Sequence, residues 1–164
     1  MILDSGARRE FESGAVRDIQ EGKGRCDLLP VDIVADLIEA DGNIDHNEMY
    51  AAVLRSINLF MWEKDTHNLL DAILTFTKIM NIELPDALLL VSKHFQNGAE
   101  KYGERNWEKG LPIHSFIDSA LRHLIKYMRG DADEPHGTAF LWNLMCCMWT
   151  MRYHPDMQDI PKLI

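Results

Sequence analysis

Apolar side chains recur at helical spacing over most of the chain. Residues 31–40 (VDIVADLIEA) predict a short helix closed by an Asp41-Gly42-Asn43 turn. Residues 47–62 align Met49, Ala52, Val53, Ile57, Phe60 and Met61 on one face. Residues 66–80 repeat the pattern with Leu69, Leu70, Ile73, Phe76, Thr77 and Met80, and Thr66 stands at the N-cap position. Pro85 opens a further helix that reaches Tyr102, before Gly103. Residues 104–110 read as a loop. Residues 115–129 form the next helix, with Ser115 as its cap and Gly130 just past its end. An acidic turn over 131–135 supplies Asp133 or Glu134 as cap and Pro135 near the first helical position, and the last helix runs to Tyr153. No stretch alternates with period two, and there is no internal repeat. The pattern predicts an all-α, single-domain bundle of five or six helices over residues 1–164. Residues 1–30 are an irregular Gly/Arg-rich arm, 31–86 an acidic helical insert and 87–164 a motif-bearing helical core.

Composition agrees with a globular chain: 46% of the 164 residues are hydrophobic and 26% charged. The net charge is −9, unevenly spread: residues 31–86 carry 3 basic and 11 acidic groups, whereas 87–130 carry 7 and 4. An acidic protein neutralises phosphates poorly along a polymer, which argues against DNA or RNA as partner. A local cationic stretch still suits one small anion. The three cysteines, Cys26, Cys146 and Cys147, make neither a disulfide framework nor a CxxC pair. The first residues lack an apolar signal core. The apolar run 139–151 is interrupted by Asn143 and is too short to span a bilayer. The expected setting is cytoplasmic, without a membrane partner.

Several constellations carry chemistry. Asn143 is the polar exception in the last helix, and His136 lies seven residues earlier on the same face, about 10 Å away. The pair either lines one polar pocket or satisfies local backbone. Asp118, Arg122 and Lys126 follow at i, i+4, i+8, with His123 beside them: a solvated stripe, or a carboxylate–cation–imidazole face for phosphate. The turn Asp131-Ala132-Asp133-Glu134-Pro135-His136 can hold a hard divalent cation or cap the helix. The loop 101–110 (KYGERNWEKG) gathers Lys101, Arg105, Asn106 and Trp107. Cations suit phosphate, an amide reads a base edge and an indole stacks on a base. The methionines on apolar faces, with Trp62, Trp142 and Trp149, read as core. The series Asp41-x-Asn43-x-Asp45 is no EF-hand, because His46 and Ala52 stand where Gly and Glu are required.

The blocks SGAVRDIQEGKGRCDLLP (13–30), KYGERNWEKG (101–110) and DSALRHLIKYMRGDADEPHGTAFLWN (118–143) together resemble the phage and bacterial dATP/dGTP diphosphohydrolase family, N-terminal domain. The resemblance covers the arm and the chain after residue 86. It implies cleavage of purine deoxynucleoside triphosphates to monophosphate and pyrophosphate, with Mg²⁺ or Mn²⁺, by a homo-oligomer in a bacterial or phage-infected cell. On this chain it puts Arg17, Lys23 and Arg25 at the phosphates, and Lys101, Arg105, Asn106 and Trp107 around phosphate and base. Arg122, Lys126 and Asn143 join the substrate wall. Asp118, His123, Glu134 and His136 carry catalysis, and Asp131, Asp133 and Glu134 hold metal. The ExxE…ExxD carboxylate pairs of magnesium-dependent all-α pyrophosphatases are absent. The same side chains suit a nucleotide sponge or sensor without catalysis, and the acidic insert suits a helical protein-interaction domain.

Overall fold

The computed structural model describes residues 6–162 and is all-α in its helical content. Six α-helices follow one another: α1 Val31–Ala40, α2 Asn47–Glu63, α3 His67–Ile79, α4 Leu84–Tyr102, α5 Ile113–Arg129 and α6 His136–Tyr153. The chain divides into two compact units, one of residues 6–27 and 89–159, the other of residues 28–88 and 160–162.

In the second unit α1 packs on α2 and α2 on α3. Its core is built from Ala35, Leu54, Ile57, Phe60, Leu69, Ala72 and Phe76. The buried stripe of α2 is rotated from the predicted one. Tyr50, Ala51 and Leu54 are inside, Ala52 is exposed and Met49 is half-buried. The two helices flanking α2 require a wider apolar face than a single stripe. Trp62, read from the sequence as core, is 49% exposed, and Leu70 is also exposed. Thr66 occupies the N-cap position of α3 but makes no capping bond. The Asp65 carboxylate accepts the His67 N–H at 2.9 Å instead.

In the first unit α5 packs on α6. Phe116, Ile117, Leu121 and Leu124 meet Phe140, Leu141, Leu144 and Cys147 in its core. Helix α5 begins two residues before the predicted start, directly after Pro112, whose fixed φ suits the entry to a helix. Ser115 therefore lies inside the first turn rather than capping it. Gly130 closes α5 at φ +83°, its N–H returning to the Tyr127 carbonyl at 3.0 Å, as the spacing predicted. At α6 the N-cap position belongs to Pro135, and neither Asp133 nor Glu134 caps the helix. No described helix is long and apolar enough to cross a membrane.

The arm departs most from its reading. Residues 8–10 and 16–18 form an antiparallel hairpin, β1 and β2, pairing Arg8 with Asp18, Arg9 with Arg17 and Glu10 with Val16. Phe11 and Ala15 close it (N···O 2.9 Å), and Gly14 turns at φ +77° with its N–H on the Phe11 carbonyl at 2.8 Å. Strands of three residues are too short to show alternation, so only the turn residue betrays the hairpin.

Candidate functional site

The hairpin is held by α4, α5, α6 and the 3₁₀ turn Asn106–Lys109, and a cleft of about 890 Å³ opens beside it within the first unit. Asn106 is the clamp. Its side-chain oxygen accepts the Val16 N–H at 2.9 Å, and its amide donates to the Val16 carbonyl at 2.9 Å. The side chain thus imitates a neighbouring strand, satisfying the N–H and the carbonyl of Val16. Ser13 adds a bond to the Gly110 carbonyl at 2.6 Å, and Lys109 reaches the Gly14 carbonyl at 3.2 Å. Asp18 is fixed from α4 by Lys101 at 3.0 Å and by the Tyr102 hydroxyl at 2.8 Å.

Register places Arg17 on the face turned into the unit. Its guanidinium donates to Asn143 Oδ1 at 2.5 Å and to the Ser115 carbonyl at 3.2 Å, and lies near the rings of Phe116 and Trp142. Burial brings this guanidinium down to about 10. Its acceptors are neutral oxygens; no carboxylate pairs with it among the described residues. Asn143 is 1% exposed and donates its amide to the Ala139 carbonyl one turn back at 2.8 Å. The lone amide in an apolar helix is therefore partnered at both its nitrogen and its oxygen, by its own helix and by Arg17.

Six cationic side chains line the cleft, namely Arg9, Arg17, Lys23, Arg105, Arg122 and Lys126, against the carboxylates of Asp18, Glu104 and Glu134. The excess makes it a cationic cavity in an acidic chain, which favours an anionic ligand. Arg122 is set by Asp118 one turn earlier on α5 at 2.5 Å and donates to the Gly24 carbonyl at 3.0 Å. Asp118 is 1% exposed and also accepts the Cys26 N–H at 2.6 Å. Burial pushes its carboxyl up, but Arg122 and the Cys26 N–H outweigh that and leave it below the ordinary value. Asp118 lies outside the lining and positions Arg122 and the end of the arm.

Other predicted residues fall in different places. Arg25 pairs with Asp27 outside the cleft (2.7 Å), and Asp131 pairs with Arg129. Arg105 lines the cleft in a left-handed conformation, φ +57°, with its guanidinium on Glu108. Trp107 packs at steep ring angles against Phe95 and Trp149, at 5.2 and 4.9 Å between ring centroids, and presents to the cleft.

On the wall formed by α5 and the start of α6, His123 Nδ1 stands 2.9 Å from His136 Nδ1, and His136 Nε2 is 2.7 Å from Asp133 Oδ1. Lys126 holds the other oxygen of Asp133 at 3.2 Å. His136 and Lys126 hold the Asp133 carboxyl down to about 2. Burial, followed by the nearby His136 and Arg17, brings the His123 imidazole down to about 3, so it is neutral at physiological pH. Donor atoms of His123, Glu134 and His136 lie within 4.8 Å of one another. The predicted trio of Asp131, Asp133 and Glu134 does not converge in this way. Two imidazoles and one carboxylate fit Mn²⁺ better than Mg²⁺, which prefers oxygen ligands throughout.

Sequence reasoning assigned no site role to Arg9 and His94 and read Trp142 as core, yet all three line the cleft. His94 lies 5.4 Å from Trp142 between ring centroids, and burial, then Arg17, brings it down to about 4. Nothing local marks these residues; they meet only because α4, α6 and the hairpin converge.

A family model described as dATP/dGTP diphosphohydrolase, N-terminal, matches residues 73–160, more than half of the chain. The match begins in α3, inside the segment read from the sequence as an insert, and leaves the arm outside it. No curated protein and no solved structure matches the chain.

Proposed function

The chain belongs to the dATP/dGTP diphosphohydrolase N-terminal family, and from that premise we propose that its cationic cleft binds a purine deoxynucleoside triphosphate and hydrolyses it to the monophosphate and pyrophosphate. The observation that carries this reading is Arg17. A half-buried guanidinium facing a cavity with only neutral acceptors lacks the counter-charge that desolvation normally demands. A triphosphate supplies it.

In this reading Arg17, Lys23 and Arg122 take the phosphates, with Arg9 beside them. Trp107 and its aromatic neighbours form the apolar side against which a base rests. Phosphoryl transfer asks chiefly for positioning and charge neutralisation. A water oxygen bonds to the α-phosphorus while the bond to the bridging oxygen breaks, and pyrophosphate leaves with that electron pair. The water's proton passes to the Glu134 carboxylate. A divalent ion, when bound by the wall of His123, Glu134 and His136, supplies further neutralisation of the phosphate oxygens. Asn106 and Lys101 contribute by holding the hairpin that carries Arg17, not by reading the base.

Incubation with each dNTP and NTP, with Mg²⁺ or Mn²⁺, followed by anion-exchange chromatography, tests the proposal. Monophosphate and pyrophosphate are expected from dATP or dGTP, and Arg17→Gln should abolish them. Recovery of intact nucleotide together with a raised melting temperature would move the protein to the sponge or sensor class.

A further inference from the structure

We propose that His123, Glu134 and His136 form a binding site for one divalent ion of the first transition row, Mn²⁺, Co²⁺ or Zn²⁺, in preference to Mg²⁺. This deepens the reading of the same cleft and rests on it only for what the ion would do there; the site itself is testable with metal alone.

A carboxylate only accepts, so His136 Nε2, 2.7 Å from Asp133 Oδ1, carries the hydrogen. In a neutral ring the lone pair then resides on Nδ1. That atom faces His123 Nδ1 across 2.9 Å. Two nitrogens bound at about 2.1 Å and at right angles on one ion stand about 3.0 Å apart, so the pair already spans one coordination edge. Glu134 completes a facial set. A donor oxygen of its carboxylate lies within 4.8 Å of a ring nitrogen of each histidine, and no hydrogen bond or ion pair engages that side chain among the described residues.

The surroundings match what such sites need. His136 is 2% exposed, so its ring is held in one orientation. Asp133, itself fixed by Lys126, supplies the outer carboxylate that sets tautomer and basicity in carboxylate–histidine–metal arrangements. The neighbouring group of Asp131, Asp133 and His136 is the weaker alternative, since Arg129 occupies Asp131 and Lys126 occupies Asp133. Imidazole nitrogen suits Mn²⁺ through Zn²⁺; Mg²⁺ dehydrates reluctantly and prefers oxygen.

Full-length protein stripped with EDTA and dialysed would be titrated calorimetrically with Mn²⁺, Zn²⁺ and Mg²⁺, and with Co²⁺ under visible absorption. One equivalent of each transition ion should bind, and Mg²⁺ should bind weaker by about tenfold or more. Pulsed electron paramagnetic resonance of the Mn²⁺ complex should show directly bound nitrogen. Glu134→Gln and His123→Ala should each weaken binding by at least about tenfold, and Asp133→Asn by about 10- to 100-fold, with unchanged circular dichroism. His136 is buried, so the spectrum of the unaltered protein carries that part of the test. Absence of saturable binding, absence of nitrogen coupling, or binding unmoved by Glu134→Gln would overturn the site. Ion binding without dNTP turnover would keep the site and remove the hydrolase reading. Turnover with Mg²⁺ in a protein that binds no transition ion would do the reverse.

Discussion

Arg17 and Asn143, separated by 126 positions in the chain, meet at 2.5 Å, a half-buried guanidinium on a buried amide oxygen. The contact ties the hairpin to α6 and turns a charged side chain into part of the floor of the cleft. Asn143→Leu removes the acceptor while keeping the branched heavy-atom shape. It should destabilise the protein by about 2–4 kcal/mol, because the guanidinium then remains desolvated with one acceptor fewer. Urea unfolding measures this, and a change below about 0.5 kcal/mol would show that Arg17 is solvated.

Asn106→Ala should loosen the hairpin without unfolding the helices. Both peptide groups of Val16 lose their partner, at a cost of about 1–3 kcal/mol. Hydrogen exchange at the Val16 amide should accelerate, and amides in α1–α3 should be unaffected. Equal acceleration in α1–α3 would contradict a local clamp.

Gly14→Ala probes the hairpin turn by a different route. Gly14 sits at φ +77° with nothing within 4 Å of an added Cβ, so any penalty is conformational rather than steric. A loss of about 1 kcal/mol is expected, read as a shift of the urea midpoint.

Acid should destabilise the protein through its buried imidazoles. His94 is brought down to about 4 by burial, followed by Arg17, from an ordinary value of 6.5. Between these two values the unfolded chain binds the proton and the folded chain does not. Stability therefore falls as pH drops from about 6.5 to about 4, by on the order of 3 kcal/mol from this residue, and the contribution is intact above that window. His94→Gln should flatten the profile in urea titrations run with EDTA; an unchanged slope would show that His94 protonates freely.

Asp118→Asn leaves Arg122 without its carboxylate and weakens the acceptor for the Cys26 N–H. The variant should raise the KM for a triphosphate more than it lowers kcat, because Asp118 positions a phosphate-binding cation without lining the cleft. A fall in kcat at unchanged KM would assign it a direct part in the chemistry.

Local pattern alone determined the helices. Period, Pro85 and Gly130 place the bounds of α1–α6 within a few residues, since amphipathic repetition and φ-restricted residues act over a turn or two. The same locality explains the failures. Ser115, Thr66, Asp133 and Glu134 are all good capping residues by type, yet none caps: prolines hold the N-cap positions of α5 and α6, and Asp65 takes the bond at α3. Much of the cleft lining was legible as residue type, in Arg17, Arg122, His123, Glu134 and Asn143. Their partners were not: that Asn106 serves a backbone, that Arg17 reaches Asn143 and that Glu134 joins two histidines depends on contacts between segments far apart in the chain. Residue chemistry is written along the chain, but a charge's partner and a lone pair's direction are decided only when α4, α5, α6 and the hairpin close on one another.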